Sequence, residues 1–145
     1  MKEAEMKNQE HMMAVVEPTR DGEATIEVAK QVVDRGGRAT VLVLVTRDTV
    51  ADIAAFAEAE DLRLPDAREI YAERLADVYS SRFGDHEVAT IVTDGRRAGQ
   101  IIFDTAGEVA ATTVAMPQRL ATRRGWRASV ARSQVPVLIT PPKAA

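Results

Sequence analysis

Ala39-Thr-Val-Leu-Val-Leu-Val45 decides the fold. Seven residues pass without a charge, and four of them are β-branched. A strand with one wet face would alternate apolar and polar side chains. An unbroken apolar run is what a strand buried on both faces of a parallel sheet requires. Gly36-Gly37 stands just before it and supplies a helix stop. Upstream of that stop, Ile26, Ala29, Val32 and Val33 fall at helical spacing. Met13-Ala-Val-Val16 is a further short buried-strand candidate, and Glu17-Pro-Thr-Arg-Asp-Gly22 breaks the chain between the two. Thr19 and Asp21 are candidate N-caps for the helix that follows.

Downstream of Val45 a long helical region is interrupted near Leu64-Pro65. Its first part carries Val50, Ile53, Ala54 and Ala57. In its second part, Asp66 and Glu69 have capping-box spacing, and Ile70, Leu75, Val78 and Tyr79 give an apolar side. Gly84-Asp85 ends the region, and Val88-Ala-Thr-Ile-Val92 reads as a third strand. After the turn at Asp94-Gly95, Ala98, Ile101, Ile102, Thr105 and Ala106 form a helical stripe. A fourth strand is expected over Thr112–Met116, a helix over Arg124–Ser133 and a fifth strand over Val135–Thr140. Strand and helix alternate throughout, which implies right-handed crossovers. The fold class is therefore α/β, a three-layer open sandwich with a five-stranded parallel sheet.

A chain of 145 residues fits one domain with a real core. We expect residues 1–12, charged or polar without an apolar run, to form a disordered tail ahead of one domain at 13–142. No stretch is long and apolar enough to span a bilayer, so no membrane partner is expected. The net charge of −3 implies no polyanion, and nucleic acid is not an expected partner. The chain has no cysteine, which removes disulfides, thiolate catalysis and zinc–thiolate sites. That absence fits a cytoplasmic protein.

Three further stretches carry a family resemblance. Met12-Met-Ala-Val-Val-Glu-Pro-Thr-Arg-Asp-Gly-Glu-Ala-Thr-Ile-Glu-Val-Ala29 runs from strand through a short acidic turn into an alanine-rich helix. Gly95-Arg-Arg-Ala-Gly-Gln-Ile-Ile102 places a glycine before a helix with central isoleucines, and Pro136-Val-Leu-Ile139 closes the sheet. In order and spacing these resemble a universal stress protein domain over Met13 to Thr140. The resemblance implies the strand order 3-2-1-4-5 and a homodimer, often formed by antiparallel pairing of the last strand. Val135, Val137 and Ile139 are then the dimer-edge candidates.

ATP-binding members carry glycines spaced along the connection after the fourth strand. Here those positions fall on Pro117, Leu120 and Val130, and the connection is about two residues shorter. Pro117 has no N–H, and Leu120 brings a side chain where backbone must approach phosphate. Gly125 is out of register and is followed by Trp126. In the first loop, Glu17 stands where the family usually has an aspartate, and Pro18 replaces a glycine. The resemblance therefore implies a domain without the usual ATP-binding glycine motif.

Several residues admit two readings. Arg119, Arg123 and Arg124, with Gly125, could hold a phosphate by side chain in place of the lost glycine loop. They could equally line a solvated loop and an exposed helix face, which the missing glycines favour. Glu17 could receive a ribose hydroxyl or could complement a helix dipole, and Thr19 would stand beside it in such a site. Trp126 could stack on a base or fill the dimer contact, although a large residue opening an amphipathic helix is more often simply packed. His86 has no partner set for a metal, and Glu58, Glu60 and Asp61 fit a wet helix end. No serine elbow or shifted carboxylate pair supports an enzyme. The leading expectation is a dimeric regulatory or interaction module with a regulatory protein partner and no committed cofactor. The alternative is a nucleotide or phosphometabolite binder, with ATP or AMP as ligand, using the arginine-rich connection.

Overall fold

The computed structural model describes residues 9–17, 22–45, 47–86, 88–94, 98–122, 130 and 132–141. Strand β1 (His11–Val16) leads to helix α1 (Glu23–Asp34) and strand β2 (Arg38–Val45). Helices α2 (Arg47–Ala59) and α3 (Leu64–Ser81) precede β3 (Ala89–Asp94). Helix α4 (Ala98–Glu108), β4 (Thr113–Pro117), the short α5 (Gln118–Ala121) and β5 (Val137–Thr140) complete the described elements. The five strands form one parallel sheet in the order β3-β2-β1-β4-β5.

The period of two along each strand sorts the core into two halves. Met12, Ala14 and Val16 of β1, with Val41 and Val43 of β2, face Ile26, Ala29, Val32 and Val33 of α1. Phe83, just beyond α3, is sealed in the same half. Met13, Val15, Leu42 and Leu44 point the other way, against Ile102 and Ala106 of α4 and Leu120 of α5. The uncharged run in β2 thus fills both halves, as its sequence requires. The helix stop before it is also built as expected. Gly36 has φ +92, and the amides of Gly36 and Gly37 donate to the Val33 and Val32 carbonyls at 3.0 and 2.8 Å. A Cβ on Gly37 would meet Val32 Cγ1 at 2.6 Å and the Val32 carbonyl at 2.9 Å, so only glycine fits without backbone movement.

Several expected boundaries are corrected. Strand β1 begins at His11, not Met13, because His11 and Met12 pair with Arg38 and Ala39 and are buried. Residues 11 and 12 are therefore sheet rather than tail, while residues 1–8 lie outside the described residues. The N-cap of α1 is Gly22 without a side-chain bond, and Thr19 and Asp21 lie outside the described residues. Helix α3 starts at Leu64 with Arg63 as N-cap, which puts Asp66 inside the first turn and leaves no capping box. There its charge still suits the helix dipole. Val50, Ala54 and Val78 are exposed, so α2 and α3 are held mainly by Ile53, Ala57, Ala67, Leu75 and Tyr79.

The stretch after β4 was expected as open connection, yet residues 118–121 form α5. The helix expected over 124–133 falls largely outside the described residues. Strand β5 starts at Val137, since Pro136 has no N–H to donate. The Pro136 carbonyl still accepts the Val114 amide at 2.9 Å. Ser133 Oγ accepts the Val135 amide at 3.1 Å, closing a tight turn just ahead of the strand.

Candidate functional site

In the order β3-β2-β1-β4-β5, β1 and β4 are neighbours whose helices leave toward opposite faces of the sheet. The region outside the C-terminal ends of such a strand pair is where open α/β sheets take ligands. Glu17 directly follows β1, and Arg119 lies in α5, just beyond β4. Glu17 is only 3% exposed, and its Oε1 lies 3.1 Å from Arg119 Nη2. The Arg119 side chain is about one-third exposed, at 34%. Its Nε is buried and has no hydrogen-bond partner among the described residues.

Among the described residues the backbone around this pair forms no phosphate cradle. Pro117 ends β4 and offers no N–H. Leu120 is fully buried and packs in the same half-core as Ile102 and Met116. The Thr122 amide and hydroxyl both turn back to the Gln118 carbonyl, each at 3.0 Å. Short-range helical bonds and a core anchor thus shape this segment. Glu17 and Arg119 come together as sequence candidates, but on each other. Thr19, Arg123, Arg124, Gly125 and Trp126 lie outside the described residues.

Two threonines that sequence reading did not single out close the same end of the sheet. Thr140 Oγ1 lies 2.7 Å from Thr25 Oγ1 and donates to the Met116 carbonyl at 3.3 Å. Both threonines are buried, so this contact ties the end of β5 to the start of α1. The signal was faint: Thr25 falls one residue before the helical apolar stripe, and Thr140 looks like any strand terminus.

The expected dimer edge divides. Val135 and Val137 are half-buried against the half-core of α4, whereas Leu138 and Ile139 are 42% and 45% exposed. Leu138 was missed because strand alternation nominates either the odd or the even positions, not both. Glu58, Glu60 and Asp61 are exposed, and His86 Nε2 lies 3.5 Å from Asp34 Oδ1 at the surface. Among the described residues no three His, Cys, Asp or Glu side chains converge as a metal site.

At the opposite, N-terminal end of the strands sits His11, 4% exposed, with Nε2 2.8 Å from Thr40 Oγ1. Burial foremost, then the nearby Arg38 charge, pushes its pKa below the usual histidine value, and a backbone bond at Val109 only partly opposes them. The folded state thus binds this proton less readily than the unfolded chain does. Its stabilising contribution is complete above about pH 6.5 and fades as pH falls toward the lowered folded value. Urea unfolding across this range should show stability dropping by at most about 1.4 kcal/mol per pH unit from this group. His11→Asn should flatten that slope, and an unchanged slope would exonerate His11.

No protein-family model matches the sequence, and no curated protein matches it. Solved structures do. The hypothetical protein PH0823 superposes with a TM-score of 0.58 at 16% identity, over 93% of this chain and 98% of its own. The hypothetical protein MJ0577 gives 0.58 at 13% identity, covering 94% and 98%. A universal stress protein in complex with cAMP gives 0.56 at 15% identity, covering 92% and 97%. At such identities the likeness concerns the fold, and it runs nearly end to end in both partners of each comparison. The chain has the universal stress protein fold.

Proposed function

We propose that this protein is a regulatory or interaction module that works as a cytoplasmic homodimer and does not take ATP through a glycine loop. One observation carries the reading: buried Glu17 pairs with the partly exposed Arg119 at the C-terminal ends of β1 and β4, with Leu120 anchored in the core beside them. An acid and a cation already engaged with each other are poor ligands for a ribose or a phosphate. The dimer rests on β5, a sheet-edge strand that carries Leu138 and Ile139 outward. An unprotected apolar edge of this kind invites pairing with a second copy. A chain without cysteine needs no oxidising compartment.

A second reading has its own support. Arg119 Nε is buried without a partner, and a structurally similar protein has been solved in complex with cAMP. A nucleotide or phosphometabolite could engage that donor if the ion pair opened. Calorimetry with ATP, AMP and cAMP separates the readings: we expect no saturable heat at millimolar ligand. A one-to-one isotherm that Arg119→Met abolishes would establish the second reading instead. For assembly, sedimentation should give a dimer at micromolar concentration, and Ile139→Lys should shift it to monomer. A monomeric native protein would remove the dimer from the proposal.

A further inference from the structure

Away from the C-terminal ends of β1 and β4, on the β2–β3 side of the sheet, α2 and α3 leave a cavity of about 160 Å³. Val45 and Val92 from the strands, Ile53 from α2 and Ala72 from α3 supply apolar walls, and Arg68 and Tyr71 supply the polar groups. An enclosed cavity of about 150 Å³ holds one benzene ring, so this half-open pocket of similar volume takes a ring-sized group with one end toward solvent. The wall is braced. The Tyr71 and Phe56 rings stand 6.3 Å apart, centroid to centroid, and the Arg74 guanidinium lies 4.8 Å over Phe56.

With Arg74 held on that ring, Arg68 is the cation lining the cavity, and among the described residues it makes no ion pair. A half-open pocket one ring in size, largely apolar, with a guanidinium, a phenol and the Thr93 hydroxyl among its lining groups, matches a short apolar acid. We propose that this pocket binds a small single-ring or branched aliphatic carboxylate, the apolar body against Val45, Ile53 and Val92 and the carboxylate on Arg68. Burial, with the charge of Asp52 second, raises the Tyr71 pKa, so the phenol stays a donor for the same carboxylate. Asp52 also repels an anion, so its removal should tighten binding. The inference is independent of the proposed function, because it uses none of the residues at the C-terminal ends of β1 and β4.

Benzoate titrated into the full-length protein, followed by amide chemical shifts, tests it. Saturable shifts at Ala72, Val92 and Thr93 are expected, with benzyl alcohol binding more weakly. Arg68→Gln, at an exposed position that the fold does not need, should weaken benzoate about tenfold while leaving benzyl alcohol unchanged. Asp52→Asn should tighten benzoate about twofold. Ala72→Leu should fill the cavity and abolish both. Absence of saturable shifts at millimolar benzoate would overturn the proposal. So would equal binding of benzoate and benzyl alcohol, or benzoate binding that survives Ala72→Leu in a folded variant.

Discussion

Arg119→Met is expected to lower the free energy of unfolding by about 2–4 kcal/mol, read by urea titration and circular dichroism. The substitution keeps most of the side chain's packing and removes the guanidinium 3.1 Å from a carboxylate that is 3% exposed. Stripping the cation from a buried acid costs far more than breaking a surface pair, whose loss is about 0–1 kcal/mol. The range is set below the full value for a buried pair because the Arg119 side chain is one-third exposed and water already screens it. Glu17→Gln should cost less. The guanidinium it leaves can turn toward solvent, whereas the carboxylate cannot. The double variant Glu17→Gln with Arg119→Met should recover a large part of the loss, since the two changes remove both charges of one interaction. A loss under about 0.5 kcal/mol for Arg119→Met would class the pair with ordinary surface bridges. It would also mean that Arg119 is free to leave Glu17 for a ligand.

Leu120→Ala is expected to cost about 3 kcal/mol by loss of apolar burial and creation of a cavity beside Ile102 and Met116. A domain of this size has roughly 5–15 kcal/mol in total, so the midpoint should fall by on the order of 10 °C. The consequence for function is as informative as the stability. If Leu120 merely blocked a nucleotide site, trimming it would let ATP in. Because the Glu17–Arg119 pair and the proline amide gap remain, Leu120→Ala should still give no ATP heat in calorimetry. ATP binding by that variant would show that one leucine, not the whole arrangement, sets the loss. A stability change below about 1 kcal/mol would mean that Leu120 does not anchor α5 in the core.

The framework of the sheet was readable because each strand advertises its own burial. The run Ala39–Val45 is apolar throughout, so it had to face helices on both sides, and Leu42 and Leu44 indeed point away from Val41 and Val43. The helical stripe through Ile102 and Ala106 worked the same way. Boundaries failed where polar residues sit inside elements. His11 looked like tail because nothing local announces that Thr40 will share a hydrogen bond with its ring, and the capping-box spacing at Asp66 gave way to a helix start at Leu64. Helix α5 was missed since four residues carry too little periodicity to be seen.

The sequence alone determined the alternation of elements, the parallel sheet and the helix stop at Gly36-Gly37. All of these depend on residues close together in the chain: side-chain period and missing charges. Tertiary structure alone decided that Glu17 meets Arg119, that Thr25 meets Thr140, and that α2 and α3 leave a cavity beside β2 and β3. Polar groups distant in sequence find partners only once strand order makes their ends neighbours. A sequence shows which residues must be buried, while the partners of buried charges are chosen by the packing that brings β1 beside β4.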